Sequence, residues 1–84
     1  MYLLIPEKIL TSRKVTAEEK ILLSYFFTLH KSGKKVYAKP EYLESLLGLS
    51  NVHYMLENLG ERNFLVSTLQ GKELAPHVIH DLNK

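Results

Sequence analysis

Residues 37–66 read YAKPEYLESLLGLSNVHYMLENLGERNFLV, and the fold follows from how this stretch is parsed. Pro40 is suited to the first turn of a helix, which the spacing predicts from about residue 40 to Leu47. Tyr42, Leu43, Leu46 and Leu47 are expected to face inward, with Glu41 and Glu44 outward. Gly48 supplies a left-handed stop, Leu49 plugs the turn from inside, and Ser50 is placed to cap the next helix. In that second helix Val52, Met55, Leu56 and Leu59 fall at i, i+3, i+4 and i+7, one buried stripe. Asn51, His53, Tyr54, Glu57 and Asn58 are left outside. From Asn51 to Leu59 there is no Lys or Arg, and Glu57 is the only charge. Gly60 is poor in a helix and marks its expected end. Phe64-Leu65-Val66 then begins a strand.

Working toward the N-terminus, Val36-Tyr37-Ala38 is short and β-prone. The preceding helix opens at Thr16, where Thr16-Ala17-Glu18-Glu19 forms a capping box and places two carboxylates in the first turn. Ile21, Leu22, Tyr25, Phe26 and Leu29 form its wide apolar face; Lys31 and Gly33 mark its end. Leu23 and Phe27 lie off that stripe, under the N-terminal arm or in a dimer contact. Tyr2 to Ile5 is an apolar run, an edge strand or extended arm, and Pro6 can open a helical turn through Leu10. Toward the C-terminus, Gln70-Gly71-Lys72-Glu73 is the expected hairpin turn. A second strand is expected from about Leu74 to Ile79, on an edge because of Pro76. The whole reads as one α+β domain spanning residues 1–84.

Composition narrows the function classes. Apolar residues make up 45% of the 84 and charged residues 24%, values of a globular chain rather than a disordered one. There is no cysteine, so disulfides and thiolate metal sites are excluded, which fits a reducing cytoplasm. No apolar run approaches the roughly 18 residues needed to span a bilayer, and MYLLIPEKIL is too short for a signal peptide. His77 and His80, three apart on an expected strand, would point to opposite faces and not share an ion. Neither a Gly-rich phosphate loop, a nucleophile elbow nor a paired-carboxylate arrangement is present. Neither catalysis, a cofactor nor a metal is expected.

The order of elements resembles the winged helix-turn-helix domains of phage and plasmid replication initiators and related bacterial regulators. The likeness covers most of the chain. It is carried by Tyr2 to Pro6 with Ile9-Leu10, and by Thr16 to Lys20 leading into Ile21-Leu22-Leu23. Tyr42 to Ser50, Leu56-Glu57-Asn58-Leu59 and Phe64-Leu65-Val66 complete it. It implies a three-helix core with a C-terminal β-hairpin wing and a small strand at 36–38. It also implies a DNA-binding regulator of transcription or replication, encoded by a phage or mobile element and cytoplasmic. Family members commonly carry Lys or Arg after the Ser, and another basic residue one turn on, where those side chains meet DNA. Here the turn between Ser50 and Val52 is about two residues shorter, and the matching outward positions hold Asn51, His53 and Tyr54. A shorter turn should draw the third helix toward the second and change its projection.

Two partner classes therefore stay open. In the first, helix 51–59 enters the major groove of double-stranded DNA, and Lys34, Lys35, Lys39 and Lys72 grip phosphates. In the second, Asn51, His53, Tyr54, Glu57 and Asn58 meet a protein, as in an inhibitor or adaptor of a host or replisome protein. A homodimer through the first long helix or the arm is a further possibility, and no membrane partner is expected.

Overall fold

The computed structural model describes residues 3–33, 39–68 and 71–83. Among these lie five helices and one two-stranded antiparallel hairpin, a small α+β fold. In chain order they are α1 (Glu7–Leu10), α2 (Ala17–Lys31), α3 (Pro40–Leu47), α4 (Val52–Glu61), β1 (Leu65–Thr68), β2 (Gly71–Leu74) and α5 (Pro76–Leu82).

Helix α2 is the floor of the core, and its start is written in four residues. Thr16 Oγ1 accepts from Glu19 N at 3.1 Å and Glu19 Oε1 accepts from Thr16 N at 2.9 Å, the reciprocal capping box expected. Its end at Ser32, with Gly33 at φ 70°, also follows expectation. Leu22, Tyr25 and Phe26 are buried, but so are Leu23 and Phe27, and the buried band wraps further round the helix than the stripe alone suggested. Phe27 lies in a depression shared with Leu4, Ile5, Pro6 and Leu82, beneath the N-terminal arm. The arm forms no regular element over residues 3–6, and Leu4 N donates to Thr28 Oγ1 at 2.9 Å. The small strand expected at 36–38 falls outside the described residues.

Helix α3 corrects the sequence reading of its faces. Leu43 is fully buried and Leu47 partly so, but Tyr42 and Leu46 stand more than a third exposed. A helix of two turns has room for a narrow buried seam, and Leu43 with Leu47 fills it. Glu44, expected outside, is half-buried for a reason given below. Gly48 adopts φ 69° and stops the helix, and Leu49 is buried under the turn, both as expected.

Val52, Met55, Leu56 and Leu59 of α4 are all buried, joining Leu22, Phe26 and Leu43 in one core. The helix runs through Gly60 to Glu61 rather than stopping at the glycine. Its reversal is made by Asn63 at φ 65°. Phe64 N donates to Leu59 O at 2.9 Å and Asn63 N to Gly60 O at 3.1 Å, a Schellman motif with Asn in the position glycine usually takes.

The hairpin pairs Leu65 with Leu74 at its base, both buried, and Thr68 with Gly71 toward its tip. Gly71, Lys72 and Glu73, expected in the turn, therefore belong to β2, with Gly71 at φ 130°. The strand expected from Leu74 to Ile79 does not form; β2 ends at Leu74 and α5 starts at Pro76. Ala75 N donates to Phe64 O at 2.9 Å as the last bond of the ladder. Pro76 then fits a first helical turn, where no N–H is missed, better than it fits an edge. Val78, Ile79 and Leu82 at i, i+1 and i+4 have helical rather than strand spacing, and Val78 is buried. His77 and His80 consequently lie three apart on a helix, so the strand argument against a shared ion no longer holds. Among the described residues no group of three or more metal-binding side chains converges. No helix among them is long and apolar enough to cross a membrane.

Candidate binding surface

The surface begins with how α4 is launched. Ser50 does not cap it. Asn51 takes that position in the left-handed region, at φ 58° and ψ 36°, and makes no side-chain capping bond. The carboxylate does come, but from the neighbouring helix: Glu44 Oε2 accepts from Val52 N at 3.2 Å. Glu44 also holds the turn through its backbone, where its carbonyl accepts from the N–H groups of Gly48 and Leu49. A negative side chain at a helix N-terminus meets both unsatisfied N–H groups and the positive end of the helix dipole. The short turn makes this possible, because it sets the first residue of α4 within reach of α3.

With its apolar stripe buried, α4 turns Asn51, His53, Tyr54 and Glu57 to the outside, and Asn58 lies half-exposed. Tyr54 is 67% exposed, the most exposed of the large apolar or aromatic side chains described. His53 Nε2 lies 3.1 Å from Glu57 Oε1, one turn on. Both side chains are well exposed, so the pair contributes little stability but fixes the imidazole beside a carboxylate.

A shallow groove separates α4 from the hairpin. It is lined by Glu57, Gly60 and Glu61 on one side and Leu65, Ser67 and Lys72 on the other. Lys72 Nζ is 3.4 Å from Ser67 Oγ, and it is the single cation in this groove, against two carboxylates. Glu61 was not singled out in the sequence, although its position one turn beyond Glu57 on the same helix side is the signal for it. Lys39 is exposed just before α3. Lys34 and Lys35 lie outside the described residues. Among the described residues, the expected lysine grip is represented by Lys39 and Lys72.

Charge along α4 is distinctive. Residues 51–61 hold two Glu and no Lys or Arg, a formal −2. The chain as a whole is +2, from 11 basic and nine acidic residues, so the remainder sums to +4. The first cation after this segment, Arg62, is already paired, its side chain 33% exposed. Its guanidinium pairs with buried Glu19 of the α2 capping box, and its other nitrogen donates to Lys14 O at 2.7 Å. It also lies over the Phe64 ring, 5.5 Å from the centroid. Nothing local in the sequence announces a contact spanning 43 positions.

Helix α3 contributes two further exposed side chains, Tyr42 and Leu46, one turn apart. Tyr42 neighbours Tyr25 of α2, whose phenol is pushed above its usual 10.0, mainly by burial and secondarily by Tyr42. Phe27, which the sequence left available for a partner, is excluded from the surface because it is 5% exposed. The arrangement offers polar and aromatic contact. In comparisons with known proteins, no family model, curated protein or solved structure matches this chain.

Proposed function

We propose that this chain is a winged-helix module that docks a protein partner through the exposed face of α4. In this reading α3, its turn and α4 are the helix-turn-helix, and β1–β2 is the wing. The element order and the burial of the α4 stripe support that assignment. The observation that carries the choice of partner is the charge of α4. Its outward face and the groove beside it hold Glu57 and Glu61 against Lys72, and Arg62 is taken up by Glu19. Carboxylates on the helix that would enter the major groove oppose the phosphate attraction that supplies most non-specific DNA affinity. Exposed Tyr54, with Tyr42 and Leu46 nearby in sequence order on α3, has the character of an interface anchor. An inhibitor or adaptor of a larger assembly, of the kind phages and mobile elements encode, fits this surface.

Binding to double-stranded DNA is the second reading, favoured by exposed Lys39 before α3 and by Lys72 beside α4. An electrophoretic mobility shift in about 50 mM salt separates the two, since DNA binders show at least non-specific retardation there. We expect none at micromolar protein. Retardation that Lys72→Glu abolishes would reverse the order of the two readings. On the protein side, affinity capture with the wild-type chain and with Tyr54→Ala should differ in one specific band. Identical captures by both chains would remove the α4 face as the docking surface.

A further inference from the structure

A second concave surface lies away from the α4–hairpin groove, where α1, the α1–α2 loop and α5 meet the end of α4. It is a cavity of about 350 Å³, at the lower end of the range for ligand sites. Its floor is apolar: Ile9, Leu23 and Val78 are buried beneath it, and Val15, Phe64 and Leu82 form partly exposed walls. Its rim carries Lys8, Lys14, Arg62 and His77, and Asp81 is the one acidic residue lining it. Two contacts between residues distant in sequence join elements that line the cavity. Lys8 Nζ donates to Asp81 O at 3.0 Å, tying α1 to the end of α5. Arg62 donates to Lys14 O and stacks on Phe64, tying the end of α4 to the loop. A site fixed in this way loses little conformational freedom when filled.

We propose that this cavity docks an acidic, hydrophobic peptide segment of a protein partner. An apolar side chain of the segment seats over Ile9, Leu23 and Val78, and flanking carboxylates face Lys14 and Lys8. The charge argument is direct. Arg62 is balanced by Glu19, but among the described residues neither Lys8 nor Lys14 has a carboxylate within ion-pair distance. An apolar floor inside a cationic rim selects a ligand that pairs leucine-like groups with carboxylates, and discriminates against plain polyanions, which leave the floor wet. This site is separate from the α4 face and does not depend on it.

The test uses the full chain and a fluorescein-labelled, amidated peptide of Leu, Glu and Ala. The peptide spans about 14 residues, some four helical turns, with leucine at every third or fourth position. Saturable anisotropy with a Kd below about 100 μM is expected. Lys14→Glu should weaken it about tenfold, Lys39→Glu, on another surface, less than about twofold, and Tyr54→Ala not at all. Lys14 is exposed, so the charge reversal should leave the fold intact by circular dichroism; Lys14→Gln, expected to weaken binding by a smaller factor, is the second variant. A peptide with every Leu replaced by Ser should fail to bind. The proposal is overturned if the Ser peptide binds as well, if Lys39→Glu matches Lys14→Glu, or if the Leu peptide shows no saturation. It is also overturned if sedimentation shows that the free chain self-associates and Lys14→Glu dissociates it, because the occupant is then a second copy. Because Tyr54→Ala reports only on α4, failure here and failure of the α4 reading are distinguishable.

Discussion

Helices α2 and α4 face the same problem at their starts and solve it in opposite ways. Each must satisfy backbone N–H groups that have no partner within the helix. Helix α2 does so locally, with Thr16 and Glu19 bonded reciprocally across one turn. Helix α4 starts from an asparagine in the left-handed region and takes its carboxylate from Glu44, eight residues earlier on α3. A local cap leaves its helix free to stand in any orientation. A cap supplied by a neighbour fixes the angle between two helices, and the outward face of α4 depends on that angle. The two helices are also linked, since Arg62 at the far end of α4 binds the same Glu19 that completes the α2 cap.

The largest expected effect breaks that link. Arg62→Ala strands a carboxylate that is only 8% exposed, and loses the bond to Lys14 O. Removing one partner of a buried pair costs about 3–5 kcal/mol, and with the Arg62 side chain 33% exposed the lower end, about 3 kcal/mol, is expected. Urea unfolding gives the number. A loss under about 0.5 kcal/mol, within the range of ordinary surface substitutions, would mean the two regions are not coupled.

Removing the caps themselves should cost less. Thr16→Ala is expected to destabilise by about 1 kcal/mol, the usual loss for a capping hydroxyl. Glu44→Ala should cost a similar amount, about 1 kcal/mol, for a bond to a helix N-terminus. The difference lies in what else changes. Amide shifts in Glu44→Ala should spread along α4 from Val52, whereas those in Thr16→Ala should stay within the first turn of α2. Equal spread in both variants would remove the distinction between local and borrowed caps.

Asn51→Gly is the finest probe. Glycine reaches φ 58° without strain but adds freedom to the unfolded chain, so a net change within a few tenths of a kcal/mol is expected. Thermal unfolding of Asn51→Gly beside Asn51→Ala separates the terms. Alanine in the left-handed region should cost about 1 kcal/mol more than glycine. Equal stabilities would mean that the left-handed start of α4 is not retained in solution.

These elements also show which features were legible in the sequence. The Thr16 cap, the Gly48 stop, the α4 stripe and a strand after residue 64 were readable, because each depends on neighbours within about one or two turns. The outward set Asn51, His53, Tyr54 and Glu57 followed from the stripe by subtraction. Misreadings arose where local signals were ambiguous. Pro76 suits both an edge strand and a first helical turn, and the four apolar residues of α3 divide into two seams, Leu43 with Leu47 and Tyr42 with Leu46. Ser50 had the chemistry of a cap but not the position.

By itself, then, the amino-acid order determined the helical periods, the stops and the face that α4 buries, since those obey rules of spacing along one segment. Tertiary structure alone decided that Glu44 serves α4 and that Arg62 answers Glu19 across 43 positions. It also decided that Tyr42 and Leu46 stay outside. Each of these depends on which surfaces meet once the helices are docked, and the burial gained there outweighs local preference by more than any single residue's propensity can oppose.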